Sequence, residues 1–471
     1  MKIIQAILLL MTSMFCAHGK DYNIFCYWNT TAFYRKNVAS FQAWHIDVRL
    51  CTHLGYSHFG ISETGAIKMV DEHLDKKIEL INQVINLRHS ASKLKVFASV
   101  GGWTVDSKLM SNMAADMRKR DRFFSSVIEF LYSWHFDGLD LDWEFPTQRG
   151  GRPEDRNNFV VLLEELKIIL HEHKFQLSVA VAARTDEATL AAYDIPNIVK
   201  HADLVNLITY DFDRPFGKHV AHNAPLYGAG NASSVERAVR QWVKQGGKPA
   251  KLLLGIPFFA QTYTLKQLSN TSVGAPSRGP GYPGVSTLQR GFMGYNEFCM
   301  RASKWTKKYD EEAHVPYAIK HSQWLSYEDG RSINEKLRLL KSLNLGGAMV
   351  WSIDTDDFRG NCGERFSLLR IVNAGIGDAK LLTTQAPTTE GFGMCPQDGF
   401  FRHPWFCEYY HECRDGQRFD YECINGEYFD ADLGQCSAAS SVYCPQNFVT
   451  WKPGERVYNF RDLPLNLKIA K

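Results

Sequence analysis

Eight short apolar segments, most of them followed by a helical pattern such as 123–134 or 158–171, recur between residues 22 and 375 of the 471-residue chain. Strands that alternate with helices form parallel sheets, and eight such repeats predict a (β/α)8 barrel, or TIM barrel, of the α/β class. An open, doubly wound sheet is the alternative that the pattern leaves open. The predicted strands are 23–28, 48–56, 94–100, 138–143, 176–183, 204–210, 252–259 and 346–353.

The rest of the chain divides into further regions. Residues 261–345 are too long for one helix and rich in aromatic residues, so we expect a small α+β insertion after strand 7 of a barrel that covers 20–377. A threonine-rich linker follows at 378–394, and a short segment with six cysteines occupies 395–444. Fifty residues build a poor core without disulfides, so this segment is predicted to be a disulfide-rich module. A polar tail at 445–471 ends the chain.

The N-terminus predicts the compartment. Lys2 precedes an apolar run, 3–15, and small residues stand at Ala17 and Gly19, as in a signal peptide covering 1–19. The run is shorter than the roughly 20 residues of a membrane span, so we expect a secreted, extracellular protein without a membrane anchor. The ten cysteines beyond Cys16 are an even number, as an oxidising compartment favours. A net charge of +3 argues against nucleic acid as a partner.

Residues 137–144, DGLDLDWE, carry the strongest chemical signal. Asp140, Asp142 and Glu144 alternate with apolar residues, so a strand would point all three carboxyl groups to one face. Crowded carboxyl groups raise one another's pKa, which keeps an acid protonated near neutral pH. A calcium site would need more oxygen ligands on a flexible loop, and a solvated edge would not be apolar on its other face. We therefore predict a catalytic acid and no metal or cofactor.

This segment resembles the DxxDxDxE signature of family-18 glycoside hydrolases, the chitinase family. Further motifs of that family follow in order: SVGGW at 99–103, TYD at 209–211, HNAPLY at 222–227 and MVW at 349–351. The resemblance covers about residues 22–375 and implies a TIM barrel with an α+β insertion after strand 7.

The resemblance also implies a mechanism. Glu144 would protonate the glycosidic oxygen while the substrate's own N-acetyl oxygen attacks the anomeric carbon, as is known for this family. Asp142 would hold the acetamide N–H, and Asp140 would share a proton with Asp142. Tyr210 would hydrogen-bond the acetamide oxygen, with Asp211 nearby.

Trp351 would form the apolar floor beneath the sugar whose bond is cleaved. Core packing is the alternative explanation for this and for each other aromatic residue of the site. The remaining positions that the resemblance assigns to substrate binding are Tyr27, Asp71, Glu72, Gly101, Gly102, Trp103, Thr104, Phe145, Ile208, Thr209 and Met349.

Several positions depart from the family pattern. The family usually has Trp where Thr31 and Phe216 stand, often Phe at His58, and Tyr and Arg at Phe259 and Gln261. These changes leave the acidic segment intact and predict weaker binding of sugars far from the cleaved bond.

The six C-terminal cysteines are separated by 11, 5, 9, 12 and 7 residues, and their spacing allows fifteen connectivities. The spacing resembles the peritrophin-A type chitin-binding domain of invertebrate chitinases, which implies the pairs Cys395–Cys413, Cys407–Cys444 and Cys423–Cys436. In the barrel we expect the pairs Cys26–Cys51 and Cys299–Cys362. Asn29, Asn231 and Asn270 begin glycosylation sequons.

Together these features predict a secreted, monomeric endochitinase that hydrolyses polymers of β-1,4-linked N-acetylglucosamine. Its predicted partners are chitin and chito-oligosaccharides. The alternatives are a chitinase-like lectin that binds without cleaving, and an enzyme acting on N-glycan cores. The presence of Glu144 argues against the first, and the C-terminal module argues against the second.

Overall fold

A closed barrel of parallel strands forms the centre of the molecule, as predicted. The computed structural model describes residues 21–377 except 90, 92, 229 and 231, and in the C-terminal region 399–402, 409–414, 417–423, 427–430, 433–438 and 440–442. Strand 1 pairs in parallel with strand 2 and strand 8, which closes the barrel and excludes the open sheet. The barrel strands 1 to 8 are Asn23–Asn29, His53–Ile61, Lys95–Gly101, Gly138–Asp142, Gln176–Ala182, Leu204–Ile208, Leu252–Pro257 and Gly347–Trp351.

Helices follow most of the strands, and side-chain caps set where several of them begin. Asp116, for example, accepts the backbone N–H groups of Arg118 and Lys119, which have no partner within the first turn of their helix. The apolar face of that helix is buried, which anchors it to the sheet. The α-helices in the described ranges are Leu80–Asn86, Ser107–Ala115, Met117–Trp134, Asp155–Glu172, Glu187–Ala192, Ile195–His201, Val235–Lys244, Tyr295–Cys299, Gly330–Ser342 and Ser367–Ile376.

A second, antiparallel sheet is inserted after barrel strand 7. Its strands are Phe259–Leu265, Ser277–Pro280, Phe292–Gly294, Thr306–Asp310, Val315–Lys320 and Gln323–Ser326. The helix Gly330–Ser342, which the predicted insertion included, instead packs against the helix Ser367–Ile376 of the barrel. Its buried face of Ile333, Leu337 and Leu340 explains this placement, because an amphipathic helix lies where its apolar face is covered.

Disulfides are present both within residues 21–377 and in the C-terminal module. Cys26–Cys51, Cys299–Cys362 and Cys423–Cys436 form as the sequence predicted. Cys413 is also disulfide-bonded. Its expected partner Cys395, the expected pair Cys407–Cys444, and the predicted signal peptide, linker and tail lie outside the described residues.

The C-terminal module contains short antiparallel strands, Gly399–Arg402, Tyr409–Arg414 and Gln417–Glu422 in one sheet and Tyr428–Asp430 and Gln435–Ser437 in another. The ring of Tyr410 stacks on Phe429, with 4.2 Å between centroids, and on Tyr421 at 5.3 Å. Within the part of the chain that the structure describes, no helix has the length and apolar character needed to cross a membrane.

Candidate active site

Barrel strand 4 carries two acidic side chains into the interior. Asp140 and Asp142 are both buried, and they share a face because side chains alternate along a strand. Glu144 stands two residues beyond the end of the strand and is partly buried. The carboxyl groups therefore lead to the carboxyl end of the barrel, where barrel enzymes hold their reacting groups.

Asp140 is held by hydrogen bonds from four other strands. Its Oδ2 accepts the hydroxyls of Tyr27 at 2.9 Å and Ser99 at 2.6 Å. Its Oδ1 accepts the hydroxyl of Ser178 at 2.5 Å and the amide of Asn206 at 3.4 Å. Burial raises the pKa of Asp140, and the donated hydrogen bonds partly oppose that rise. These four hydrogen bonds therefore fix the carboxyl group of Asp140, whether charged or protonated, at the centre of the barrel.

Asp142 contacts a histidine that the sequence marked only as a departure from the family pattern. Its Oδ2 lies 3.1 Å from Nε2 of His58, while its buried Oδ1 has no hydrogen-bond partner in the described ranges. No hydrogen bond between Asp140 and Asp142 is present there, so their proton sharing stays a prediction. Burial and the charge of Asp140 raise the pKa of Asp142 to about 8, and burial lowers the pKa of His58 to about 4. An unpaired buried oxygen favours a ligand that brings an N–H donor.

Glu144 has the acidity that a proton donor needs. Burial, followed by the charges of Asp142 and Asp211, raises the pKa of Glu144 to about 8, although His58 and Arg214 oppose the rise. Glu144 is therefore protonated at neutral pH, unlike a carboxyl group in water.

Hydrogen bonds fix the backbone on both sides of Glu144. The indole N–H of Trp143 donates to the hydroxyl of Ser107 at 2.8 Å, and that hydroxyl donates to the carbonyl of Phe145 at 3.0 Å. The ring of Phe145 packs against the barrel core and is only partly buried. These contacts hold the acid at a constant place relative to strand 4.

Tyr210 and Asp211 follow barrel strand 6 and face the same region. Burial raises the pKa of Tyr210 well above its usual value, so its hydroxyl stays a donor; it lies 3.9 Å from the sulfur of Met349. The ring of Tyr210 meets Phe259 edge to face. The carboxylate of Asp211 accepts the amide of Gln261 at 2.6 Å, and burial raises the pKa of Asp211. Phe259 and Gln261, two positions that depart from the family pattern, thus contact Tyr210 and Asp211 respectively.

Trp351 ends barrel strand 8 and is only partly buried. Its indole stacks on the ring of His58 with 5.5 Å between centroids and 21° between planes, and it contacts the ring of Tyr27 at 5.4 Å. Tyr27 itself is fully buried, so its ring offers no surface to a sugar. Its contribution to the site is the hydrogen bond that its hydroxyl donates to Asp140. Trp351 keeps a ring surface that a sugar could contact.

Gly101 and Gly102 let strand 3 approach strand 4 and His58 closely. Both have positive φ, +121° and +79°. A Cβ at Gly101 would lie 2.0 Å from the carbonyl oxygen of Asp142, and one at Gly102 would lie 2.7 Å from Cε1 of His58. Glycine is therefore required at both positions.

The side chains of two arginines lie over the ring of Trp103. The guanidinium carbons of Arg149 and Arg214 are 3.9 Å and 4.0 Å from the centroid of its ring. Arg149 also donates to the backbone carbonyls of Trp103 at 2.7 Å and Glu144 at 2.6 Å. Trp103 is half-exposed and the neighbouring Thr104 is exposed, so this group lies on the open side of the site.

Asp71 and Glu72, two further residues predicted to bind substrate, each contact another side chain. Asp71 accepts the hydroxyl of Tyr34 at 2.6 Å, and Glu72 pairs with Lys76 at 3.2 Å. Within the described residues no hydrogen bond or ion pair joins them to Asp140, Asp142 or Glu144, and their contact with substrate stays a prediction.

Ile208 packs against the barrel core, and the buried hydroxyl of Thr209 donates to the carbonyl of Gly255 at 2.7 Å. The part of these two residues in substrate binding stays a prediction. Thr31 and Phe216 are exposed, which leaves their sugar-binding role as a prediction. Among the sequons, Asn270 is exposed and Asn29 is partly buried, while Asn231 lies outside the described residues.

Sequence reasoning missed several residues of the site. Ser99 and Ser178 lie opposite Asp140 in the sheet register, and Asn206 is polar in an otherwise apolar strand. A small polar residue at an inward position of an apolar strand was a usable signal for these three. Arg149 and Arg214 lie on loops and gave no such signal.

A potential metal-binding group in the described part of the chain consists of Cys299, Asp357 and Cys362. The two cysteines are joined to each other by a disulfide, so neither can act as a thiolate ligand.

Comparison with known proteins agrees with the barrel and its acidic strand. The model of "Glycosyl hydrolases family 18" matches residues 23–356, and that of "Chitin binding Peritrophin-A domain" matches 395–444. The chain therefore belongs to glycosyl hydrolase family 18. It is a glycoside hydrolase of the chitinase family, and it combines the catalytic barrel with the peritrophin-A domain as invertebrate chitinases do.

Its relatives include proteins named as chitinases and one described as a pseudo-chitinase. Chitotriosidase-1 of Mus musculus is 32% identical over 91% of this chain and 97% of its own length. The crystal structure of Ostrinia furnacalis Group IV chitinase is 35% identical, with a TM-score of 0.74 over 76% of this chain and 100% of its own. Human YKL-39, described as a pseudo-chitinase with retained chitooligosaccharide binding properties, is 32% identical, with a TM-score of 0.70 over 76% of this chain and 100% of its own.

Proposed function

We propose that this protein is a secreted endochitinase that hydrolyses β-1,4-linked N-acetylglucosamine polymers with retention of configuration. We also propose that it works as a monomer and that its C-terminal module anchors it to chitin. The observation that carries the proposal is the position of Asp142 and Glu144 at the carboxyl end of barrel strand 4, where burial raises the pKa of both carboxyl groups to about 8.

In the proposed first step, Glu144 gives its proton to the glycosidic oxygen as the bond to the anomeric carbon breaks. The substrate's own acetamide oxygen attacks that carbon, because family 18 uses the substrate instead of a second carboxylate as nucleophile. The unpaired Oδ1 of Asp142 suits the acetamide N–H, and the donor hydroxyl of Tyr210 suits the acetamide oxygen. Trp351 supports the sugar ring from below.

In the second step, Glu144 is a carboxylate and takes a proton from a water molecule that attacks the same carbon. The ring formed by the acetamide opens, and the product keeps the configuration of the substrate. Asp142 stabilises the cyclic intermediate by accepting the acetamide N–H, which shares its positive charge, and Asp140 lies on the same face of strand 4 below Asp142.

The test is Glu144→Gln in the full chain, with hydrolysis of soluble chito-oligosaccharides as the assay. The amide keeps the shape but has no acidic proton to give, so kcat should fall by about 10²–10⁴-fold while the fold and oligosaccharide binding remain. Glu129→Gln, on the exposed face of the helix Met117–Trp134, is the matched control and should keep full activity. A wild-type chain that binds oligosaccharides and never hydrolyses them would instead support the lectin alternative that YKL-39 represents.

A further inference from the structure

The ring of His58 is held by contacts with three other parts of the site. Its Nε2 lies 3.1 Å from Oδ2 of Asp142, and its plane is nearly parallel to the indole of Trp351, with 5.5 Å between centroids. Gly102 leaves the space for this ring, since a Cβ there would lie 2.7 Å from Cε1 and 2.8 Å from Nδ1 of His58. These contacts fix the imidazole with Nε2 directed at Asp142.

Asp140, in contrast, has no open position for a hydrogen bond from Asp142. A carboxylate offers about four lone-pair sites on its two oxygens. Each oxygen of Asp140 already accepts two donors, which are the hydroxyls of Tyr27, Ser99 and Ser178 and the amide of Asn206. A proton on Asp142 would have to displace one of these donors to reach Asp140. Among the described residues, His58 is therefore the side chain that shares a hydrogen bond with Asp142.

An imidazole can serve Asp142 in either protonation state. A neutral imidazole has one nitrogen that donates and one that accepts, so Nε2 can donate to the carboxylate or accept the proton of the carboxyl group. The Phe that the family often has at this position can do neither. Burial and the charge of Asp140 raise the pKa of Asp142 to about 8, and burial lowers the pKa of His58 to about 4. At neutral pH the carboxyl group therefore donates from Oδ2 to Nε2, and the imidazole carries its own proton on Nδ1.

We propose that His58 is the positioning residue of Asp142: it holds Oδ2 so that Oδ1 stays available to the substrate, and it takes the Asp142 proton in place of Asp140. This inference rests on the proposed function. As positive charge develops on the bound sugar, the proton moves from Oδ2 to Nε2 along the existing hydrogen bond. The neutral pair becomes a carboxylate beside an imidazolium, so its net charge does not change. The proton returns to Oδ2 when water opens the ring of the intermediate.

Two features of the structure favour this transfer. The carboxylate that forms on Asp142 faces the positive intermediate through Oδ1, which has no hydrogen-bond partner in the part of the chain that the structure describes. The imidazolium that forms on His58 lies over the face of the Trp351 indole, and aromatic faces attract cations within about 6 Å.

The experiment compares full-length wild type with His58→Phe and His58→Gln on a soluble chito-oligosaccharide. Phe keeps an aromatic ring beside Trp351 without a hydrogen-bonding atom, whereas Gln places an amide near the position of Nε2 and cannot take a proton. His58→Phe should lower kcat by about tenfold to about hundredfold, the equivalent of a hydrogen bond to a charged group, with a smaller change in KM. His58→Gln should recover part of this loss. His89→Phe, at an exposed histidine before strand 3, is the matched control and should keep full activity.

The pH profile tests the proton transfer separately. His58 must be neutral to accept a proton, so the kcat of wild type should fall as the pH drops through about 4. In the described residues the titratable groups that face His58 are Asp142, Asp140 and Glu144, and the charges of Asp140 and Glu144 raise its pKa against the effect of burial. The acid limb should lie at lower pH in His58→Gln, because an amide does not titrate.

A double-mutant cycle shows whether His58 acts through Asp142. In Asp142→Asn the carboxyl group and its proton are gone, so adding His58→Phe should lower kcat much less than it does in wild type. Losses that multiply would mean that His58 supports the fold independently of Asp142, and would contradict the inference. Circular dichroism of each variant checks that it is folded.

The outcomes separate the two proposals. No hydrolysis by the folded wild type would overturn the proposed function, and this inference with it. Hydrolysis by folded His58→Phe with the kcat and acid limb of wild type would overturn the inference alone. Full recovery in His58→Gln with an unchanged acid limb would refute the proton transfer, since the amide cannot accept it. Should His58→Phe fail to fold, the kcat and pH profile of His58→Gln decide in the same way.

Discussion

Replacing Glu144 by Gln should stabilise the folded protein, and the gain should grow with pH. The folded-state pKa of Glu144 is raised from 4.5 to about 8. Between these two values the unfolded chain loses its proton while the folded chain keeps it. Stability from this group is therefore complete below the unfolded pKa and falls as the pH rises toward the folded pKa.

The size of the effect follows from the shift. At about 1.4 kcal/mol per pKa unit, Glu144 should lower the free energy of unfolding by ~2 kcal/mol at about pH 6 and ~4 kcal/mol at about pH 8. Glu144 keeps some surface in water, so about half of these values is expected. Glutamine does not titrate and should not show this loss. The same burial that stores a proton for catalysis thus costs stability.

Urea unfolding of both full-length proteins at about pH 4, 6 and 8, followed by tryptophan fluorescence, measures the difference. Glu129→Gln serves as the control, since its side chain is exposed. A stability difference between Glu144→Gln and wild type that does not change with pH would refute the reasoning. It would mean that Glu144 is not the buried, protonated acid that the mechanism needs.

Three further predictions concern other parts of the molecule. Tyr27→Phe removes a hydroxyl donor from the buried carboxyl group of Asp140. The free energy of unfolding in urea should therefore fall by about 2 kcal/mol and kcat by about tenfold. No change in either quantity would show that Asp140 does not depend on this hydrogen bond. A chain ending at Gly377 should keep its activity on soluble oligomers and lose retention on insoluble chitin, and equal retention by both chains would contradict anchoring by the C-terminal module. Trp at both Thr31 and Phe216, two exposed positions, should lower the KM for long oligomers through added stacking area, and an unchanged KM for hexamers would count against these positions as subsites.

Much of the fold could be predicted because it depends on local periodicity. Apolar strands alternating with amphipathic helices have few stable arrangements, and the eight predicted strands all appear in the barrel. The predicted insertion, 261–345, included the helix Gly330–Ser342, and an amphipathic pattern alone does not tell which part of a fold covers its apolar face. Only its packing against the helix Ser367–Ile376 decides that it belongs to the barrel.

The sequence by itself determined which carboxyl groups share a face, because the two-residue repeat of a strand places Asp140 and Asp142 together without any knowledge of their neighbours. It could not determine their partners. His58 and Asp142 are in contact although 84 positions separate them in the sequence, and the contacting residues Arg214 and Trp103 are also far apart in the sequence. Such contacts arise only when strands and loops far apart in sequence are brought together around one barrel axis. The acidities of the carboxyl groups are therefore properties of the tertiary structure, since burial and neighbouring charge set them.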